Sequence, residues 1–486
     1  MTGEGRSDII PSSTLVIDTE QGRCPDGCRI CRFRLSFQLP NLCEEGDAVA
    51  RLSVHNDSAS TSTVSLGRVV LASLAGSVVE WYDYFLYGIA AGLVFGELFF
   101  PSEDELTSLM ASFATFAVAF FFRPFGAAFF GSLGDRIGRK AALMATLTLM
   151  GLATGLIGTL PDAAAIGVFA PALLVFLRVL QGFALGGEWS GAILLALEHA
   201  PGERRAFYGS LPQIGPHLGF LLGLFVFEAV TAAFGETAFR QWAWRIPFLL
   251  GIVGVPIGLW LRRGVGETPD FLAAQSEGRT QGSPLRKIAS RDLGKLLAAV
   301  GIKLVETAPY FLYTTFLIGY GTKVLGIPRS DLFGALALGT VAAILVTPVY
   351  GKIADRPKRA VALFAVGAVI AVVYTPVFFT LVGKGTLGLY GATLFGLVVP
   401  SAMMSAVIGT IYARAFPAEY RYTGASFGYH IGSALAGGTM PYVAAYLLNI
   451  SGGSIWTVSL YLAVLGSLSL ISLLVLRRGV VESAVS

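Results

Sequence analysis

Charge is scarce in this chain. Of its 486 residues only 14% are Asp, Glu, Lys or Arg while 54% are hydrophobic, too apolar a balance for a soluble protein and too long a chain for one soluble core. It is therefore read as an integral membrane protein. Cysteine is nearly missing as well: the four present, Cys24, Cys28, Cys31 and Cys43, all lie in the first tenth of the sequence, which excludes a disulfide from the membrane body. The start lacks a basic stretch followed by a short apolar one, so no cleaved signal peptide is expected. A phosphate-binding glycine loop, a nucleophile elbow and a metal-ligand set inside the apolar part are all missing, so the chain does not read as an enzyme. No cofactor, metal or nucleic-acid partner is expected.

What the chain has instead is a series of apolar segments. Residues 1–67 are polar and rich in Ser, Thr and Gly, and read as a disordered extension or as upstream of a true start at Val54 or Val64. The C-x3-C-x2-C spacing of Cys24, Cys28 and Cys31 is taken as coincidence, because a metal or iron–sulfur site there needs a soluble scaffold. From Arg68 onward, segments near the roughly 20 residues needed to cross a bilayer follow one another. They fall at about 70–96, 107–131, 141–160, 171–197, 206–234 and 244–262, then 294–319, 332–350, 360–382, 388–413, 423–448 and 455–476. The fold class is all-α: twelve transmembrane helices in two bundles, 68–262 and 294–476. A basic linker, 263–293, joins them and a short tail, 477–486, follows. Alternate loops hold roughly twenty Lys and Arg against roughly five in the other set, which puts both termini and the basic loops in the cytoplasm. The loop GSLGDRIGRK, from Gly131 to Lys140, has a degenerate copy, GKIADRPKR, from Gly351 to Arg359. A repeat at the same offset in each half fits two bundles related by an axis along the membrane normal.

Charges within the spans carry the functional argument, because each costs at least about 2.5–3.5 kcal/mol to insert. Glu80, Asp83, Tyr84 and Tyr87 fall on one helical face of the first span. Two carboxyls that close cannot both ionise cheaply, so Asp83, with Glu80 as the other candidate, is expected to bind a proton. Arg123 precedes Pro124 in the second span. Arg178 opens the pattern Arg178, Gly182, Gly186, whose glycines allow close helix approach, and Gln181 and Glu188 make that span polar. A guanidinium there suits a substrate carboxylate, or pairs with Asp83 or Glu188. Gln213 and His217 lie one turn apart in the fifth span, and His217 is either a titrating group or a hydrogen-bonded core histidine. Lys303, Glu306 and Tyr310 share a face of the seventh, as an ion pair or as substrate contacts. Arg123, Arg178 and Lys303 face Glu80, Asp83, Glu188 and Glu306, and the excess carboxylate favours proton coupling, a count that a sodium ion also satisfies.

Four stretches carry a resemblance: EWYDYFLYG from Glu80, ATFAVAFFFRPFGAAFFGSLGDRIGRK from Ala114, RVLQGFALGGEWSGA from Arg178, and WRIPF from Trp244. Together they resemble the metabolite:proton symporter family of the major facilitator superfamily. EHAPGERRAFYGSLPQ, GIKLVETAPY and FPAEYRYTGASFGYHIG are most similar to its shikimate-permease branch. The resemblance implies a multi-pass protein of the cell inner membrane that imports a small organic acid or related metabolite with protons by alternating access, driven by the proton gradient; a monomer in contact with membrane lipid is expected. Within such an importer, the intramembrane charges place proton coupling on Asp83, Glu80 and Glu188, and substrate contacts on Arg123, Arg178, Gln181, Tyr87, Gln213, His217, Lys303, Glu306 and Tyr310. A cytoplasmic gate is implied at Gly131, Gly134, Asp135, Arg136, Gly138, Arg139 and Lys140, with Asp355 and Arg356 in the second copy. A proline or betaine symporter is the nearest alternative, disfavoured by the short tail. A drug exporter is suggested by Gly215, Pro216 and Gly219, but Phe220 replaces a glycine of that motif.

Overall fold

The computed structural model describes residues 16–23, 29–36, 66–137, 139–186, 197, 200, 204–263, 288, 290–417 and 420–482. The chain divides into two units, Met1–Thr63 and Val64–Ser486. The described part of the first is an antiparallel pair of strands, Val16–Arg23 and Arg29–Ser36, with Val16 opposite Ser36 and Arg23 opposite Arg29. Composition hides this pairing, but the order Arg29–Ile30–Cys31–Arg32–Phe33–Arg34–Leu35 places Cys31, Phe33 and Leu35 in alternation with Arg32 and Arg34, a strand period. Cys31 lies opposite Gln21. Cys24, Cys28 and Cys43 lie outside the described residues.

Every described element of the second unit is a helix. Span 1 covers 66–99, with a π-helical turn at Ala91–Phe95. Spans 2, 3 and 4 are Glu105–Ile137, Arg139–Ile157 and Phe169–Leu185. Spans 5 and 6 are Arg205–Ala243 and Arg245–Arg263. Spans 7 to 12 follow at Leu293–Lys323, Arg329–Ile353, Pro357–Val382, Gly385–Ala415, Arg421–Ile450 and Ile455–Glu482. Eight of these segments are by themselves long and apolar enough to cross a bilayer.

Physical chemistry explains why helices dominate. In hydrocarbon each backbone polar group must be satisfied within its own segment, which leaves helices as the way to span. Pro124, Pro256, Pro309, Pro348 and Pro376 all sit inside helices, which neighbouring helices in a membrane tolerate. The outward faces remain apolar: Phe125, Phe225, Val373 and Trp456 are each more than 60% exposed, a surface suited to lipid. Tight ends need glycine, and Gly452 and Gly453 take φ of 63° and 86° between spans 11 and 12.

The interior is aromatic where the two halves meet. Tyr84 and Phe120 of the first half pack edge-on against Phe311 of the second, with ring centroids 6.2 and 5.5 Å apart, and Phe85 meets Tyr310 at 5.9 Å. Among the described residues five π-helical turns, at Ala91–Phe95, Phe239–Ala243, Leu312–Phe316, Leu397–Ser401 and Ser433–Gly438, lie in spans 1, 5, 7, 10 and 11. Each adds a residue to one turn, so it rotates the side chains that follow and locally re-aims a helix face.

Candidate transport site

Spans 2 and 4 are pressed together by glycine. A Cβ on Gly182 would strike the Ala119 carbonyl, one on Gly186 the Arg123 carbonyl, and one on Gly126 the Phe183 carbonyl. That closeness brings Arg178, fully buried, against span 2. Its guanidinium donates to the carbonyls of Phe116 (3.1 Å) and Thr115 (3.5 Å) and to Gln181 Oε1 (2.9 Å). It also lies 3.8 Å over the Tyr87 ring, and the Tyr87 hydroxyl is bonded to Thr115 Oγ1. Gln181 passes the chain on, donating to Thr154 Oγ1 at 2.7 Å, and Thr154 in turn donates to the Met150 carbonyl at 3.0 Å.

Asp83 lies at the end of this chain. The bare face of Gly251 lets it in: a Cβ there would stand 3.0 Å from Asp83 Oδ1 and 2.9 Å from Thr154 Cγ2. Asp83 is 2% exposed, and its Oδ1 has no hydrogen-bond partner among the described residues. Asp83 and Arg178 therefore do not meet head-on; the neutral side chains of Thr154 and Gln181 separate them. The polar stripe of span 1 also divides, because Asp83 faces spans 3 and 6 whereas Tyr84 and Tyr87 face the arginines of spans 2 and 4.

Arg123 takes the other side of Tyr84, 4.6 Å above its ring and 4.2 Å from that of Phe120. It is buried, and its guanidinium also lies 5.6 Å from the Trp81 ring on the cavity wall. Glu80 is buried too. Lys303 and Glu306 form a buried ion pair, Thr307 donates to the same Glu306 oxygen at 2.7 Å, and the Lys303 ammonium rests 4.0 Å over the Tyr429 ring.

Between the halves lies a cavity of about 50 Å³. Its first-half wall includes Trp81, Phe120, Pro216 and His217; its second-half wall includes Lys303, Glu306, Tyr310 and Ser433. Gln213 crosses from one wall to the other, donating to the Ser405 carbonyl at 2.9 Å. His217 Nδ1 is bonded to the Gln213 carbonyl at 3.1 Å, and its ring stands 5.5 Å from that of Tyr310.

Contacts between the halves close both ends. On the side of the repeated loops, Asp355 accepts the Phe207 N–H at 3.0 Å, and Gly351 packs on Ser210 and Ala206. Burial raises the Asp355 pKa, against the N–H groups of Phe207 and Ala206 and the charges of Arg204 and Arg414. At the opposite end Glu97 pairs with Lys323 of span 7 and, at 3.3 Å, with Arg240. Arg329 of span 8 reaches Glu236 at 3.4 Å and the Phe227 carbonyl at 2.9 Å.

The structure thus brings together nearly all the intramembrane residues expected from sequence, but in two groups. Asp83, Gln181, Arg178 and Tyr87 form a network inside the first half, while Gln213, His217, Lys303, Glu306 and Tyr310 line the cavity. Arg123 and Glu80 lie between. Arg356 is exposed on its loop. Glu188 and Gly138 lie outside the described residues. Gly131, Gly134, Asp135, Arg136, Arg139 and Lys140 are described in their helical backbone only. Among the described residues no group of three or more His, Cys, Asp or Glu is placed to hold a metal ion. Thr154, Thr115, Trp81 and Ser433 escaped the sequence reading, since a lone Thr, Trp or Ser in an apolar run carries no signal of which way it points.

Two helical bundles around a central cavity with buried charges define a membrane transporter. The sequence profile described as sugar (and other) transporter matches residues 69–295. The shikimate transporter of Escherichia coli (strain K12) is 37% identical over 414 residues, 85% of this chain and 94% of the relative. The inner membrane metabolite transport protein YhjE of the same organism is 37% identical, over 84% of this chain and 94% of its own. A proline/betaine transporter of Salmonella typhimurium is 32% identical, over 84% and 82%. In fold, the E. coli xylose transporter XylE in a partially occluded inward-open conformation superposes with a TM-score of 0.61 at 16% identity, covering 84% of this chain and 96% of that one. The chain belongs to the major facilitator superfamily, in the shikimate-permease-like branch of the metabolite:proton symporter family. It is a multi-pass membrane transport protein and not an enzyme.

Proposed function

We propose that this chain imports a small organic acid of the shikimate type together with a proton, by rocking its two halves about the central cavity. The observation that carries the reading is the buried Asp83 carboxyl, separated from Arg178 by the neutral pair Thr154 and Gln181. A carboxylate so placed has no cation in contact, and a proton on it removes a charge the membrane interior solvates poorly. Among the described residues three buried cations, Arg123, Arg178 and Lys303, stand against three carboxylates, Glu80, Asp83 and Glu306. Protonating Asp83 leaves one positive charge in excess, and one monocarboxylate restores neutrality. Proton and anion then enter as a pair because either alone leaves the core charged.

On this reading both ends of the chain lie on the cytoplasmic side of the inner membrane, the protein acts as a monomer, and Asp355 with its loop belongs to the cytoplasmic gate. The test is uptake of labelled shikimate into proteoliposomes under an imposed pH gradient. Accumulation is expected with acid outside, collapse with a protonophore, and abolition by Asp83→Asn. Accumulation unaffected by the protonophore overturns the coupling. A zwitterionic substrate such as proline is the second reading, because the Lys303–Glu306 pair offers both signs of charge to the cavity. Inhibition of shikimate uptake by excess proline favours it.

A further inference from the structure

Three polar atoms on residues lining the cavity have no hydrogen-bond partner among the described residues: His217 Nε2, Tyr310 Oη and Ser433 Oγ. Buried polar atoms are nearly always paired, so three orphans around one space mark where another molecule supplies the bonds. Ser433 is the one that sequence and family resemblance leave unassigned. It is 1% exposed and begins the π-helical turn Ser433–Gly438 of span 11.

Its neighbours on the wall behave differently. Ser401 donates to the Gly396 carbonyl at 2.9 Å, Ser405 to the Ala402 carbonyl at 3.3 Å, and Thr307 to Glu306. Returning a hydroxyl to a carbonyl three or four residues back is the ordinary fate of a helical serine in an apolar setting; Ser459 and Ser467 both do so. Ser433 does not, and its hydroxyl stays available at the start of a turn that re-aims the helix. Just before it, the bare face of Gly432 receives the Lys303 stem, so a cation and an unused hydroxyl stand together on one wall. Trp81 and Phe120 belong to the first-half wall of the same cavity.

We propose that Ser433 is a specificity-determining residue. With Tyr310 Oη and His217 Nε2 it holds hydroxyl groups of an alicyclic hydroxycarboxylate, whose carboxylate is drawn toward Lys303 and whose apolar ring face rests on Trp81. The assignment rests on the carboxylate-importer reading above. A site built to bond a hydroxyl rejects the analogue that lacks it, because its own polar atoms are then left unpaired.

The test is calorimetric binding to the purified protein of two probes, shikimate and cyclohex-1-ene-1-carboxylate, the same ring acid without hydroxyls. The wild type is expected to prefer shikimate. Ser433→Ala weakens shikimate about tenfold and leaves the deoxy acid nearly unchanged, so the preference shrinks by the same factor. Tyr310→Phe, which removes an orphan hydroxyl from a different helix, gives the same pattern and guards against a local fold defect in span 11. A preference that survives Ser433→Ala, or both probes weakening equally, overturns the role of Ser433 while leaving the importer reading intact. A wild type that binds neither probe overturns both.

Discussion

Arg178 shows how a buried charge is tolerated in this protein. Its cost of burial is offset by two backbone carbonyls, one amide oxygen and an aromatic face, all neutral, and hydrogen bonds to a charged group stabilise more than neutral ones do. Only a planar, forked cation serves so many directions at once. Arg178→Lys keeps the charge and loses the fork. It is expected to lower stability by about 1.5–3 kcal/mol, read as an earlier thermal transition in detergent, and to cut uptake with it. Retention of full stability would mean that the bonds to span 2 contribute little. At this scale the sequence was most informative about which charges the membrane interior holds, because an intramembrane charge is too costly to be incidental. It was least informative about partners: Asp83 and Arg178 invited a direct pair, and the structure interposes Thr154 and Gln181.

Helix elements carry a second lesson. The glycines of span 4 read in sequence as permission for a close neighbour, and the structure supplies that neighbour in span 2, where Gly126 answers Gly182 and Gly186. Gly182→Leu has no room: its Cβ would meet backbone atoms of Ala119, which do not yield as a flexible side chain does. Overpacking of this kind costs about 1–3 kcal/mol or more. Gly182→Leu is expected to melt earlier than Gly391→Leu, whose Cβ meets nothing within 4 Å; equal melting would refute tight packing of spans 2 and 4. The π-helical turns had no signature in the helical periodicity, which does not register a single added residue. The strand pairing near the start shows the reverse, a period-two pattern overlooked because the composition is polar.

At the scale of the molecule the two halves are clasped at both ends, and alternating access requires each clasp to release in turn. The end bearing Glu97, Lys323, Arg329 and Glu236 is held by partly exposed ion pairs, each contributing about 0.2–1 kcal/mol. Removing Arg329 and Lys323 together is expected to shift the population open at that end by roughly tenfold. Spin labels on spans 1 and 7, measured by electron–electron resonance, report the separation; an unchanged distance distribution would show that these ion pairs do not hold that end. Asp355→Asn is expected to loosen the opposite end, by weakening its bond to the Phe207 N–H. The measurement is faster labelling of a cysteine placed near Ser210.

By itself the sequence determined the class of fold and singled out the charges that the described helices bury. Lipid dictates those: it forces each segment to satisfy its own backbone as a helix, and it makes every charge inside the bilayer conspicuous. Only the tertiary structure decided which charges meet, which remain apart and which hydroxyls stay unused. Helical periodicity assigns a residue to a face and not to a partner, and close glycine contacts and π-helical turns then set what each face meets. Thr154 and Ser433 look alike in sequence as hydroxyls in apolar runs, and packing makes one a link to Arg178 and leaves the other open to the cavity.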